Sequence, residues 1–357
     1  MDLQSMDFST IAHPAPWLGA KWSAREFTYE EWKWGVPSSA APLHVVVAKQ
    51  SERLRAKNLK CHVCSAELPA NAILWLDGLA SMSSPPLLFV QMAETLSLPE
   101  LVMLGYELCG NYTRSADNPL YGPVTDQISA ATSVSEVQRF LEAIDFVPGI
   151  PKAQEALKYI ADHAFSVPEA VLATMYSLPP KESGYGMGPV TLNQRVKLGD
   201  ETAGGVNARY PDLMFPFGPL GLNYDGQGHL DLYGLERAAN RMALAVGKDV
   251  EAAETALVLK REDIRMKVID DIRRNRQIMS TGRIVFPVTK EDLREVGGLD
   301  NVTRDILRCA HNAFGIDTSS YEKTLNDNEL SRERRALLDA LLPFKEPISV
   351  CTLKSSN

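Results

Sequence analysis

Two aspartates in the second half of the chain have the surroundings expected of a metal-dependent hydrolytic site. Asp212 lies in Tyr210-Pro-Asp-Leu-Met-Phe215, and Asp225 ends the segment Leu220-Gly-Leu-Asn-Tyr-Asp225. Both segments have the composition of short strands, and a Pro-Phe-Gly-Pro turn joins them, so the two carboxylates are expected to converge. Mg²⁺ prefers carboxylate oxygens as ligands, and a bound divalent cation polarises a phosphate and generates hydroxide. The pattern therefore predicts phosphodiester hydrolysis that depends on Mg²⁺ or Mn²⁺.

Two further side chains are candidates for the same site. Glu169, on a helix expected to begin near Ser166, can supply a third oxygen, and His229 can act as a base or proton shuttle. Ordinary structural roles compete with these. Glu169 also occupies the capping-box position relative to Ser166, and Asp225-Gly226 is a common hairpin-turn dipeptide. Residue types alone therefore leave both interpretations open.

The elements around these residues predict an α/β (α+β) fold built on a small mixed sheet. Residues 192–198 alternate apolar and polar side chains, as a half-buried strand does, and precede the two strands that contain Asp212 and Asp225. A long helical region is expected from about 232 to 279, followed by a strand at 283–288 and a helix that begins at Lys290. Strand, hairpin, helix and strand in this order indicate a sheet flanked by helices.

Several motifs in this order resemble a family of small endonucleases. They are Glu169 on its helix, the polar strand that begins at Asn193, and residues 210–216, 222–229, 270–275 and 282–289. The family is similar to the very-short-patch mismatch-repair endonuclease and belongs to the PD-(D/E)xK superfamily. The resemblance covers about residues 165–295 and implies a restriction-endonuclease-like domain that cleaves DNA. It also implies that Asp212 is the first metal carboxylate and that Asp225 and His229 are the Asp and His of the third motif.

The chain departs from the family pattern at Asn223, which stands where the family has a metal-binding Glu. An amide oxygen can coordinate a metal ion but brings no charge, so a site made of Asp212, Asp225 and Asn223 is expected to hold Mg²⁺ weakly. A helical insertion also separates His229 from the helix that contains Asp270. The chain is thus either an endonuclease that tolerates Asn223 or a degenerate relative that no longer cuts.

Charge along the chain indicates a local surface for nucleic acid. The formal net charge is −8, yet residues 260–294 hold ten Lys or Arg against six Asp or Glu. Such a segment is either a phosphate-facing surface or a solvated helix face with paired charges. The residues expected to contact DNA are Arg273, Arg274, Asn275, Arg276 and Arg283.

The first half of the chain is expected to be a mixed, mainly helical domain preceded by an arm. Residues 1–42 form the arm, which contains four tryptophans: Trp17, Trp22, Trp32 and Trp34. Residues 43–150 begin with a strand at 43–48 and include a pair of helices at 87–96 and 98–108. Residues 151–300 then form the endonuclease-like domain, and 301–357 form a helical C-terminal extension.

The N-terminal domain has a resemblance of its own. The resemblance is to the region found upstream of such nucleases, and it is carried by His44 in its strand, residues 51–55, Cys61-His62, Leu68-Pro69 and Ser84-Pro85 leading into residues 101–110. That region is similar to the C-terminal part of the AbiEi abortive-infection antitoxin family. The resemblance implies a regulatory or DNA-associated role, as in defence against mobile DNA.

Composition and cysteine usage indicate the cellular compartment in which the protein is expected. The sequence has no apolar run of about eighteen residues, which a membrane span requires, and its first ten residues lack the basic and apolar regions of a secretory signal. Five scattered cysteines do not form a disulfide framework, and Cys61-x-x-Cys64 supplies only two zinc ligands. The expectation is a cytoplasmic protein with free thiols and no membrane partner.

Three functions are compatible with these patterns. The first is a metal-dependent DNA endonuclease. The second is a catalytically degenerate nucleic-acid-binding or antitoxin-like regulator, which Asn223 favours. The third is a protein–protein interaction module, supported only by the acidic net charge and the Trp-rich arm. A nucleotide-dependent enzyme is disfavoured, because the glycines at 184–188 have neither a strand before them nor a helix after them.

Overall fold

The computed structural model describes residues 37–40, 42–75, 81–115, 118–198, 207–225, 232–245 and 249–342. Helices and short strands alternate along these residues, so the expected mixed α and β composition is confirmed. The four tryptophans of the expected arm lie outside the described residues. The chain divides between Val167 and Pro168 into two compact units.

This division differs from the boundaries expected from composition. The expected boundary at 150/151 falls in the helix Ile150–Leu157, and the boundary at 300/301 falls in the helix Gly298–Phe314. The residues after 300 that the structure describes belong to the second of the two units.

The strands of the first unit form three small pairs. Strands β1 (Leu43–Val47) and β2 (Leu59–Val63) are parallel, with Val45 opposite Cys61. Strands β3 (Ile73–Trp75) and β4 (Ser81–Ser83) are antiparallel, as are β5 (Tyr112–Arg114) and β6 (Val124–Asp126). The expected strand at 43–48 is thereby confirmed, although it ends one residue earlier, at Val47.

Four helices pack around the core of the first unit: α1 (Pro85–Met92), α2 (Leu98–Leu108), α3 (Val134–Glu142) and α4 (Ile150–Leu157). The break between α1 and α2 is as expected, because Ser97 caps α2 through a capping box with Glu100. Helix α4 begins at Ile150, because Pro151 fits the first helical turn, and it ends at Leu157.

The second unit is built on a four-stranded mixed sheet, whose strands lie in the order β12 (Ile284–Thr289), β11 (Leu220–Asp225), β10 (Leu213–Met214) and β7 (Thr191–Leu192). Strand β10 runs antiparallel to both β7 and β11. Strand β12 (Ile284–Thr289) then pairs parallel with β11, with Leu220 opposite Ile284. Helix α5 (Val167–Ser177) precedes the sheet. The expected small mixed sheet with helices before and between its strands is confirmed.

Two expected strands are broken by single residues. Asn193 interrupts the strand expected at 192–198, because its φ of +48° lies in the left-handed region. The second part, β8 (Val196–Lys197), pairs instead with β9 (Ala208–Arg209). Pro211 separates β9 from β10, because proline has no N–H to continue a ladder.

Gly221 allows the central strands to approach closely. A Cβ built on Gly221 would lie 2.4 Å from the carbonyl oxygen of Leu213, a distance that real Cβ atoms do not reach. Leu213 pairs with Leu222 in the same ladder, so glycine at position 221 maintains the β10–β11 pairing next to Asp212.

Helices connect β11 to β12 and continue to the end of the described chain. The helical region expected at 232–279 is two helices, α6 (Leu232–Leu244) and α7 (Asp249–Met279). After β12 come α8 (Lys290–Arg294), α9 (Gly298–Phe314), α10 (Ser319–Leu325) and α11 (Asn328–Leu341). None of the helices in the described ranges combines the length and the apolar character needed to cross a membrane.

A buried ion pair fixes the last helices in the second unit. The Arg334 guanidinium donates to both carboxylate oxygens of Asp300, at 2.9 and 3.1 Å. Tyr185 and Ser331 also donate to Asp300, each at 2.6 Å. Arg334 is only 3% exposed, and the four bonds satisfy the carboxylate that faces it. The α9–α11 segment is therefore integral to this unit.

Candidate functional site

The Asp212 carboxylate is held across the β10–β11 hairpin. The backbone N–H of Tyr224 donates to Oδ2 of Asp212 at 2.6 Å, and the backbone N–H of Asp212 donates to Oδ1 of Asn223 at 3.2 Å. The two strands are in register with Leu213 opposite Leu222, which places Asp212 beside the end of β11. The convergence of strand ends expected from the sequence thus brings Asp212 into the same region as Asn223 and Asp225.

Asn223 is completely buried and uses both ends of its amide. Its Oδ1 accepts the Asp212 N–H, and its Nδ2 donates to Oδ1 of Asn275 at 3.0 Å. Asn275 lies on α7, so Asn223 connects the hairpin to the helix that returns to the sheet. The amide expected at a metal-ligand position therefore positions Asp212 and α7 relative to each other.

Asp225 pairs with a cation from the same helix. Nη2 of Arg274 lies 3.2 Å from Oδ1 of Asp225 and 3.2 Å from Oδ1 of Asp271. The Arg274 side chain is 16% exposed, so this pair is largely removed from solvent. Arg274, which the sequence places among DNA contacts, thus binds one of the two candidate metal carboxylates.

Glu169 reaches the same site from α5. Its Oε2 accepts a hydrogen bond at 2.9 Å from Nδ2 of Asn193, and the Asn193 N–H donates to the Asp212 carbonyl at 3.1 Å. Asn193 can do both because it is left-handed, a conformation that asparagine tolerates better than most residues. Sequence reasoning included Asn193 only as the start of a strand. The signal that could have identified it is its residue type at a break in the alternation.

Burial and neighbouring carboxylates raise the pKa of Asp212 to about 7. Burial has the largest effect, followed by repulsion from Glu169, with a smaller contribution from Asp225. The Tyr224 N–H and the Arg274 guanidinium act in the opposite direction. Glu169 and Asp225, from two other elements, are therefore close enough to act on Asp212, and the negative potential there favours a cation or a bound proton.

Several donors suited to a hard cation are present, although they do not form a compact cluster. Within the ranges that the structure describes, no group of three or more His, Cys, Asp or Glu side chains is arranged to hold a metal ion. Mg²⁺ is usually bound through one or two carboxylates and keeps several waters. Asp212 and Asp225 provide the two carboxylates that such a magnesium site needs.

The five residues expected to contact DNA divide into three groups. Arg273 and Arg276 are exposed on α7. Arg274 and Asn275 face the carboxylates and Asn223, as described above. Arg283 is half-buried, and its Nη1 donates to the Thr281 hydroxyl at 3.2 Å. His229 lies outside the described residues.

Arg209 was not expected at this surface. Its guanidinium is 3.0 Å from Oδ1 of Asp270 and donates through Nε to Gln277 at 2.8 Å. It thereby connects β9 to α7, one turn from Arg274.

No family model, curated protein or solved structure matches this chain.

Proposed function

We propose that the second unit is a metal-dependent nuclease that hydrolyses phosphodiester bonds in DNA. The observation that carries the proposal is the convergence of Glu169, Asp212 and Asp225 from three elements of the chain. These residues are distant in sequence, and their mutual repulsion is a cost that a purely structural cluster has no reason to keep.

The donor set fits Mg²⁺ or Mn²⁺. Asp212 and Asp225 would hold the cation. A cation bound there would polarise the phosphate and generate hydroxide from a bound water. The residues themselves have separate tasks. Asn223 and the Tyr224 N–H fix the Asp212 carboxylate, and Asn193 fixes Glu169. Such fixed partners hold ligands in one orientation and reduce the reorganisation needed for catalysis.

The fold around the site supports the same proposal. A helix that contributes Glu169, an antiparallel meander that contributes Asp212 and Asp225, and a parallel strand reached through α7 follow the order of the motifs that resemble small PD-(D/E)xK endonucleases. We propose a restriction-endonuclease-like core on this basis. An antitoxin-like N-terminal region would suit a nuclease that acts against mobile DNA.

The exposed part of α7 is the proposed DNA-facing surface. Arg273 and Arg276 are available to phosphates, and Arg274 lies between them and the carboxylates. Cationic side chains beside a carboxylate site let the anionic backbone approach despite the negative potential of the three acids.

A second candidate is a non-cutting DNA-binding protein with the same fold. The arrangement that favours it is the pairing of Asp225 with Arg274, together with the burial of Asn223. A site with Asn in place of Glu and with one carboxylate neutralised by arginine would bind a cation weakly, while α7 would still contact phosphates.

A cleavage assay separates these functions. Supercoiled plasmid and single-stranded DNA are incubated with the full chain in Mg²⁺ and, separately, in Mn²⁺. Asp212→Asn removes a candidate metal ligand, and Asp305→Asn makes the same change at an exposed position on α9, where the side chain is 60% exposed. We expect nicking by the wild type and by Asp305→Asn but not by Asp212→Asn.

Binding distinguishes the remaining outcomes. Salt-dependent binding to duplex DNA without nicking in either metal would overturn the nuclease and support the non-cutting protein. The absence of both binding and nicking would overturn both and leave the protein–protein interaction module. Equal nicking by the wild type and Asp212→Asn would place the activity elsewhere.

A further inference from the structure

Two histidines of the first unit face each other on neighbouring strands. Nε2 of His62 on β2 lies 3.1 Å from Nδ1 of His44 on β1, and the ring centroids are 5.0 Å apart. The parallel pairing places Val46 opposite His62, so His44 and His62 project from the same face of the β1–β2 pair. His44 is exposed, and His62 is half-buried.

We propose that His44 and His62 form a binding site for a divalent transition metal ion, with Zn²⁺ as the representative ligand. Zn²⁺ binds imidazole nitrogens at about 2.0–2.1 Å, so two nitrogens on one ion lie about 2.9–3.4 Å apart. The observed separation of 3.1 Å falls inside that interval. The backbone has already brought the two ring nitrogens to the distance that chelation requires, and only ring rotation remains.

The chemistry of the pair is consistent with metal capture. In the metal-free protein one ring donates an N–H to the other. On binding, the donating ring moves that proton to its second nitrogen, so both facing nitrogens present lone pairs and both rings stay neutral. Imidazole is a ligand that Zn²⁺, Cu²⁺ and Ni²⁺ accept, whereas Mg²⁺ prefers oxygen. The site therefore selects a different class of cation from the carboxylates of the second unit.

The residues near the two histidines determine which further ligands a bound metal ion would have. Cys61 is buried and lies on the opposite face of β2 from His62, so its thiol does not face the two histidines. Among the described residues no third His, Cys, Asp or Glu completes a cluster with the two histidines. Water or an external ligand would occupy the remaining positions. Lys60 lies opposite His44 in the ladder, and its charge reduces the attraction for a cation.

The test measures Zn²⁺ binding to the full chain by isothermal titration calorimetry. All variants carry Asp212→Asn, so that the carboxylate site does not contribute. His44→Gln and His62→Gln each remove one ligand, and His311→Gln removes an exposed histidine from α9 as a matched control. Each ligand variant is expected to weaken binding by at least about tenfold, because removing even an outer partner of a metal ligand costs that much.

A fourth variant tests the electrostatics. Lys60→Gln should strengthen Zn²⁺ binding, because it removes the cation beside His44. Thermal unfolding checks that each variant is folded. The proposal is overturned if the parent chain binds no Zn²⁺, or if Zn²⁺ binding is unchanged in His44→Gln and His62→Gln. Neither result affects the nuclease proposal, which depends on a different unit and on different donors.

Discussion

Asn223 and Asp212 are joined by a hydrogen bond at 3.2 Å in which the buried amide oxygen accepts the backbone N–H of the candidate metal ligand. The other end of the same amide donates to Asn275. An amide can serve both neighbours because it has an acceptor and a donor, whereas a carboxylate has only acceptors. Asn223, whose amide is expected to bind a metal ion more weakly than a carboxylate would, therefore has a structural role of its own.

Asn223→Asp should destabilise the metal-free protein. Aspartate keeps the size of the side chain and the acceptor for the Asp212 N–H, but it adds a charge that is fully buried beside Asp212 and Glu169. We expect a loss of about 3 kcal/mol in the free energy of unfolding, the scale of an uncompensated buried charge. Urea unfolding in EDTA measures it, with the exposed Asn301→Asp as the control. Unchanged stability would contradict the burial of an uncompensated charge at this position.

Mn²⁺ should recover part of that loss. An additional carboxylate at position 223 gives the cation a stronger site, and a ligand that binds only the folded state stabilises it. The difference between unfolding curves with Mn²⁺ and with EDTA is expected to be larger for Asn223→Asp than for the wild type. If Mn²⁺ stabilises neither protein, the carboxylates are not a metal site.

The pH dependence of stability should report on Asp212. Its pKa in the folded protein is raised to about 7, so the charged form is disfavoured by folding. Stability in EDTA should therefore fall as the pH rises from the ordinary pKa of an aspartate to about 7, and Asp212→Asn should lack this component. At pH 8 the variant is expected to be more stable than the wild type by on the order of 2 kcal/mol. Parallel curves for the two proteins would contradict the shift.

Asp300 should show the opposite dependence. Hydrogen bonds from Arg334, Ser331 and Tyr185 lower its pKa despite its burial. Its contribution is present above the ordinary pKa of an aspartate and is lost as the pH falls through the lower folded-state value. Arg334→Met should cost about 3 kcal/mol at neutral pH, because it leaves Asp300 buried without its cation. Adding Asp300→Asn to Arg334→Met should restore part of that loss, and additive losses would argue against direct coupling.

Arg274 and Arg273 should have separable effects. Arg274→Gln removes the cation that pairs with Asp225, so Mn²⁺ affinity should rise several-fold while DNA affinity falls. The adjacent Arg273→Gln should reduce DNA affinity and lower the slope of the log affinity against log salt by roughly one, without changing Mn²⁺ affinity. Mn²⁺ binding is followed by electron paramagnetic resonance and DNA binding by fluorescence anisotropy. Equal effects of both variants on Mn²⁺ would show that the Arg274–Asp225 contact does not control the site.

The sequence predicted the parts of this site that depend on local patterns. Strand β11 was expected with its observed bounds, and Asp225 at its end follows from composition and alternation. The break between β9 and β10 follows from Pro211, yet the alternation around Tyr210 concealed it. Asn193 was harder to recognise, because a left-handed residue has no periodic signature and its partners are distant in sequence.

The pairing of side chains could not be predicted from the same patterns. Arg274 and Asn275 are neighbours on α7, and both were assigned to DNA contact because both belong to a basic segment. Their actual partners, Asp225 and Asn223, depend on the rotation of α7 relative to β11. The sequence indicates where a helix is but does not fix which of two adjacent polar residues faces the sheet.

The parallel pairing of β11 with β12 also orders the events of folding. Leu220 meets Ile284 only after the whole segment containing α6 and α7 has closed into a loop, and such closure is slow because its entropy is lost before the contacts form. Glu169, Asp212 and Asp225 leave the ribosome before the complete helix α7 and strand β12 do. A nascent chain thus carries its acidic groups without Asn275 or Arg274 to orient and restrain them, and the site matures only when synthesis has passed the last strand.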